Sequence, residues 1–291
     1  AVAHRVVAHP VLVGGLLGPG ELARLRVETE LSACRLCHNH CQRTVSQFSS
    51  GERHVSGNRC DRGAGVERSR QPLPNLFDDK YRRLFGYRRL RATAAPRGDI
   101  GLPRALNMYE NYPFWFTVLS ALGFRVTLSA RSGHELFTSG MDSIPSENVC
   151  YPAKLAHGHV VNLVNRGIGT IFYPCVSYEQ RQIAGADDHF NCPIVTSYPE
   201  VIRNNVELLE ERGVRLVSPF VNLANPAKLA ERLTEVFAAD GVTLAEAQAA
   251  VTAGYAEDAA VRADIAARGR AALAFMAETG TRGIVLAGRP Y

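Results

Sequence analysis

Residues 99–128, DIGLPRALNMYENYPFWFTVLSALGFRVTL, decide the fold. Ile100–Pro103 is a short apolar run that reads as a strand. Tyr109–Leu122 reads as a helix, and Gly123 stands where a left-handed C-terminal cap is wanted. Phe124–Leu128 reads as a second strand. The same alternation continues downstream. Ser132–Ser139 and Ala153–Asn165 read as helices, Thr170–Pro174 (TIFYP) as a buried strand and Pro193–Thr196 as another. Pro199–Glu211 reads as a helix stopped by Gly213, and Arg215–Pro219 as a strand. Asn225–Ala239 is a helix with Asn225 as cap and Pro226 in the first turn. Leu244 to about Glu278 is Ala-rich and charged, one long helix or two, and Gly283–Ala287 reads as a last strand. Short apolar strands alternating with helices of about 10–15 residues argue for an α/β fold, a parallel sheet flanked by helices. Functional groups of such sheets gather at the carboxyl ends of the strands.

Upstream the composition changes. Four of the seven cysteines fall in one stretch: Cys34, Cys37, Cys41 and Cys60. Four thiolates so spaced suit tetrahedral zinc or a [4Fe–4S] cluster. A tight triplet with a distant fourth is closer to iron–sulfur usage, while His38 and His40 inside the triplet could replace a thiolate at zinc. Gly57 and Asn58 before Cys60 suit a turn of positive φ that aims backbone amides at sulfur. The stretch 31–63 has too few apolar residues to fold unaided. These features divide the chain into an N-terminal segment, 1–63, with the cysteine-rich metal site; a basic, aromatic linker, 64–97; and an α/β lobe, 98–291. The run GIVLAG at 283–288 reads as a strand with nothing after it, so a lobe truncated at its C-terminus is expected.

Within the lobe, Cys150 lies in a loop leading into a helix and Cys175 at the end of the strand TIFYPC. Placed at neighbouring strand ends, the two are candidate cofactor ligands. Cys192, before PIVT, is a weaker one. A lone cysteine is more often a small buried hydrophobe, and His157 and His159 are more often packing residues than ligands. The aromatic run Tyr109–Trp115 is core, or a shield of a redox centre from water.

The chain has 291 residues, a net charge of +5 and 46% hydrophobic residues, enough for a real core. No apolar run reaches the roughly 18–20 residues of a membrane span. The N-terminus makes a poor signal peptide, so a cytoplasmic location is expected, where clustered cysteines bind metal more often than they pair. Lys80, Lys154 and Lys228 are the only lysines, and the arginines crowd between Arg59 and Arg104. That basic stretch, including KYRRLFGYRRLR, reads as a solvated connector or docking face rather than a phosphate stripe. The modest charge names neither nucleic acid nor membrane as partner. No GxxxxGK[ST], no GxGxxG after a strand and no HExxH is present, so ATP hydrolysis by the chain itself is not expected.

At SGNRCDRG (56–63), NMYENYPFWF (107–116), IPSENVCYPAKLAHGH (144–159) and CPIVTSYPEVIRNN (192–205) the chain resembles a known family. It is the domain of unknown function in large proteins related to activators of 2-hydroxyacyl-CoA dehydratases. The resemblance spans about residues 30–220, and the tail from 225 fits more loosely. It implies flavodoxin-like lobes in which cysteines at strand ends hold iron–sulfur clusters. It also implies an ATP-dependent activase partner that drives low-potential electrons onto them, a second dehydratase-like lobe, and an acyl-CoA as possible substrate. Cys150 and Cys175 match the places where that family keeps cluster cysteines. The activase nucleotide site and the second lobe are not in this sequence, so the resemblance implies part of a redox system, not catalytic alone. The other reading of the residues is a zinc-stabilised interaction module with no redox role.

Overall fold

The computed structural model of the protein describes residues 19–37, 39–65, 73–183 and 185–288. His38 lies outside them. Two compact units form, one ending at Leu73 and one beginning at Pro74.

In the first unit a short helix α1 (Pro19–Leu22) precedes three antiparallel strands, β1 (Val27–Ala33), β2 (Gln42–Phe48) and β3 (Arg53–Ser56), and a one-turn helix α2 (Asp61–Ala64). No strand is read here from the sequence; the sparse apolar content noted in 31–63 shows as a sheet with almost no core. Its strands alternate weakly, as in VETELSA, because both faces are largely wet. Among the described residues of this unit only Cys34 and Gly63 are buried.

The second unit starts with α3 (Leu76–Phe85), capped by Asn75, whose side chain accepts from the Asp78 amide. Residues read as linker therefore form a helix, and its Leu84 is 2% exposed. The strand–helix–strand unit follows as β4 (Asp99–Leu102), α4 (Tyr112–Ala121) and β5 (Arg125–Leu128). Then come α5 (His134–Ser139), α6 (Tyr151–Asn165), β6 (Thr170–Phe172) and β7 (Cys175–Tyr178). Next are α7 (Pro193–Asn205), α8 (Leu208–Glu211), β8 (Arg215–Val217), β9 (Phe220–Asn222), α9 (Pro226–Val236) and α10 (Leu244–Thr279).

β5, β4, β6 and β8 line up in that order, all parallel. The α/β class read from the sequence is correct. Helices cover both faces. Gly101 pairs in register with Ile171, and a Cβ on Gly101 would meet Leu163 and Ile168 at 3.0 Å, so this face packs on α6. Phe172 alternates to the other face. There its ring lies 4.9 Å from Trp115 of α4 and 5.8 Å from Phe237, just past α9. Against that layer α10 lies so close to α4 that a Cβ on Gly254 would come within 2.6 Å of Val118.

Three expectations fail. Pro193–Thr196 is not a strand but the first turn of α7. Its β-branched residues suggested extension, yet Cys192 caps the helix, its sulfur accepting from the Val195 amide at 3.5 Å, and proline takes the position where a missing N–H is harmless. Cys175 does not end its strand. Pro174 lacks a donor and only interrupts the ladder: the amides of Tyr173 and Cys175 reach the carbonyls of Val217 and Pro219 at 2.9 Å each, so β6–β7 and β8–β9 continue as one broken pair. Gly283–Ala287 forms no strand, because no described residue offers it a ladder; Ile284 and Val285 are 90% and 92% exposed. The Ala-rich stretch is one helix of 36 residues, roughly 54 Å long, and its buried positions stop at Val261.

Candidate functional site

The four upstream cysteines sit at one end of the β1–β2–β3 sheet. Ala33 pairs with Gln42, so Cys34 and Cys41 flank the β1–β2 turn, and the Cys34 amide donates to the Cys41 carbonyl at 2.8 Å. Cys37 lies within that turn, its carbonyl accepting from the His40 amide at 3.4 Å. Cys60 follows β3, whose last residue, Ser56, pairs with Thr44 near the start of β2. Gly57 makes this return possible. Its φ is +77°, and a Cβ there would lie 2.4 Å from the Gln42 carbonyl oxygen. Arg43 ties the parts together, Nη1 donating to the Gly63 carbonyl at 2.9 Å and Nη2 to Ser32 Oγ at 3.3 Å. Its Nε is buried without an acceptor.

Cys34 is buried, Cys41 half-buried, and Cys37 and Cys60 exposed. Among the described residues no three His, Cys, Asp or Glu side chains form a group that could hold a metal ion. Backbone convergence at one sheet end is present; side-chain convergence is not. The donor chemistry still suits a thiolate-held metal: four sulfurs at one end, and beside them a guanidinium N–H lacking an acceptor.

The lobe cysteines differ from one another. Cys150 is the exposed N-cap of α6. Cys175 is fully buried, and burial, reinforced by Glu200, pushes its thiol up to about 12. Cys150 makes itself felt at Tyr198, whose phenol is pushed up to about 12 by burial first and by Cys150 second. Cys150 and Cys175 are two thiols, one of them a neutral buried one, where a [4Fe–4S] cluster takes four thiolates. Two thiols alone do not complete a four-thiolate set.

His157 and His159 are core residues, as expected of them. His157 Nε2 lies 3.0 Å from Tyr198 Oη and Nδ1 2.8 Å from Ser143 Oγ; His159 bridges Ser129 and Ser132. Sequence reasoning missed Glu179. Its carboxylate accepts from Asn111 at 3.0 Å and Asn191 at 2.7 Å, with Asn107 at 3.4 Å, and burial pushes its pKa up. The signal was available: Asn107 and Asn111 are amides four apart in an otherwise aromatic run, and buried amides need partners. Also missed was the pairing of Arg104 with the aromatic side of α3.

No helix among the described residues is long and apolar enough to cross a membrane. The model of one protein family, described as the CoA enzyme activase uncharacterised domain, matches residues 99–291. The match includes the tail that fitted loosely and leaves out Cys34–Cys60. No curated protein and no solved structure matches the chain.

Proposed function

The chain belongs to the family of CoA enzyme activase uncharacterised domains, and from that premise we propose that it is the iron–sulfur-binding module of a 2-hydroxyacyl-CoA dehydratase or activator-related system. The observation that carries this reading is that the backbone brings Cys34, Cys37, Cys41 and Cys60 to one end of a three-stranded sheet, the end from which Arg43 on β2 keeps an acceptorless Nε. A [4Fe–4S] cluster bound by these thiolates supplies one-electron transfer at low potential. The chain's own residues do the rest. Gly57 lets the β3–α2 turn reach back to β2, and Arg43 clamps α2 to the sheet through the Gly63 carbonyl and Ser32. An ATP-dependent activase domain or subunit supplies the electrons, and the chain is not catalytic alone. Cys150 and Cys175 enter this reading only as part of a second ligand set, completed by another dehydratase-like lobe near an acyl-CoA substrate. Cys175 would have to lose a tightly held proton to join it. The setting is cytoplasmic, where thiols stay reduced.

One observation favours a second reading. With only Cys34 and Gly63 buried among its described residues, the first unit has almost no core. A structural zinc ion would then act as its staple, with no redox role.

Protein purified and reconstituted without oxygen, with ferrous iron and sulfide, tests both. Visible charge-transfer absorbance, an EPR signal on reduction and about four irons per chain, lost in Cys34→Ser and Cys60→Ser, support the first reading. A colourless protein holding zinc, with no iron taken up, refutes it and supports the second.

A further inference from the structure

A cavity of about 180 Å³ opens in the lobe beyond the carboxyl ends of β4 and β5. It lies where open α/β sheets hold ligands, and it involves none of the cysteines. Arg104 follows β4 and Arg131 follows β5, and both guanidinium groups lie over one ring, that of Tyr81 on α3, at 5.6 and 4.7 Å. Arg104 also lies over Phe85 at 4.5 Å.

The charges there are not balanced. No carboxylate among the described residues pairs with either arginine. Arg104 spends its Nη atoms on the Tyr81 hydroxyl and the Ser129 carbonyl, and its Nε is buried without an acceptor. Glu110, six residues after Arg104, is engaged by Lys80 at 2.6 Å. His159, which lines the cavity, is fully buried between Ser129 and Ser132, and burial together with the Arg104 charge pushes its pKa down to about 3. It stays neutral. Two like charges therefore share one aromatic ring in a partly dry site, an arrangement that an anion relieves. The opposite wall is apolar, made by Phe77, Leu106 and Leu155.

We propose that this cavity is a binding site for a small organic acid: its oxyanion, carboxylate or phosphoryl, sits between Arg104 and Arg131, and a short apolar group lies against Phe77 and Leu155. Guanidinium forks suit both oxyanions. The volume is below the roughly 300 Å³ at which sites for drug-sized ligands begin, so the group that enters is short. The inference stands apart from the thiol reading and survives its failure, since no metal takes part.

Titration calorimetry of the whole chain with inorganic phosphate, acetate and butyrate tests it. Saturable binding of at least one probe is expected, weaker at high salt. Arg131→Gln should weaken it about tenfold or more, the loss of one charged hydrogen-bonding partner. Arg131 is exposed, so this variant folds, and Arg212→Gln, on a remote exposed arginine, should bind as the parent does. Phosphate ahead of the carboxylates assigns a phosphoryl ligand; butyrate ahead of acetate assigns a carboxylate with an apolar tail. No saturable binding of any probe up to about 20 mM, well past millimolar affinity, overturns the proposal. So does an Arg131→Gln protein that binds as the parent does.

Discussion

Gly158→Ala should destabilise the lobe by about 2–3 kcal/mol, although alanine is the better helix former. The perturbation is one methyl group on α6. Built on Gly158, that carbon lies 1.9 Å from the Leu136 carbonyl oxygen and 2.9 Å from Leu136 Cδ2. Such contacts are not met below 3.0 Å, so the carbonyl must retreat by about 1.1 Å. The obstacle is backbone of α5, not the tip of a flexible side chain. The contact is mutual, since a Cβ on Gly140 would lie 2.2 Å from the Gly158 amide nitrogen. Overpacking of this kind costs about 1–3 kcal/mol, and a backbone obstacle puts it at the upper end. Working against it are the roughly 0.5–1 kcal/mol that alanine gains over glycine in a helix. Scanning calorimetry of the full chain reads the result. At about 2–4 °C per kcal/mol for a unit of this size, the lobe transition should fall by roughly 5–10 °C. Gly269 on α10 is the internal control: a Cβ there meets nothing within 4 Å, so Gly269→Ala should stabilise. A Gly158→Ala protein as stable as the parent would refute the reasoning. The contact also reaches function, because α6 carries Cys150 at its cap and Leu155 in the cavity wall.

Other outcomes are equally direct. Iodoacetamide followed by peptide mapping should label Cys150 in the native protein and leave Cys175 untouched until denaturant is added, since one is exposed and the other holds its proton up to about pH 12; equal labelling would contradict the burial. Stripping metal with a chelator should melt β1–β3, seen as new proteolytic cuts within 27–56, and leave the lobe transition unmoved, because metal binding of order 10 kcal/mol has no core to replace it; an unchanged digest would exclude a metal staple. Burial pushes His157 down to about 4, against about 6.5 unfolded. Between those values the unfolded chain binds the proton and the folded one does not. Stability is therefore full above about pH 6.5 and falls as pH drops towards 4, on the order of 1 kcal/mol per pH unit. Glu179 and Asp258, with raised carboxyl pKa values, act with the opposite sign. The readout is thus the difference from His157→Gln, whose urea-unfolding stability should fall less steeply over that range; parallel slopes would refute the assignment.

The βαβ core was legible because its signals agree: Ile100 and Leu102 in a short apolar run, a helix with Pro113 in its first turn, and Gly123 at φ +79° where the cap was expected. The N-terminal cap of α9, Asn225 with Pro226 in the first turn, was equally plain. Pro193–Thr196 was misread because β-branched side chains dominated the local pattern, while the deciding contact, Cys192 sulfur to the Val195 amide, is invisible in composition. The first sheet was invisible because it buries almost nothing, and periodicity needs a dry face. For the site, chain position alone put four cysteines together. Spacing could not say whether their side chains converge, and here they do not. Arg104, Arg131 and Tyr81 come from three separate segments, so only folding brings the two cations to one ring.

Beyond Val261 no residue of the long helix α10 is fully buried, and polar ties hold it to the lobe: Arg262 to Gln180 at 3.1 Å, Asp264 to Arg83 at 2.7 Å and Arg268 to Asp79 at 3.6 Å. Past Arg268 its rungs have little but their own hydrogen bonds. Deuterium uptake along it should therefore be graded: slow from Ala247 to Val261, where opening requires the core to part, and fast towards Thr279, where single turns unravel independently. One continuous helix would then exchange as two populations, and the break between them would mark where tertiary anchoring gives out.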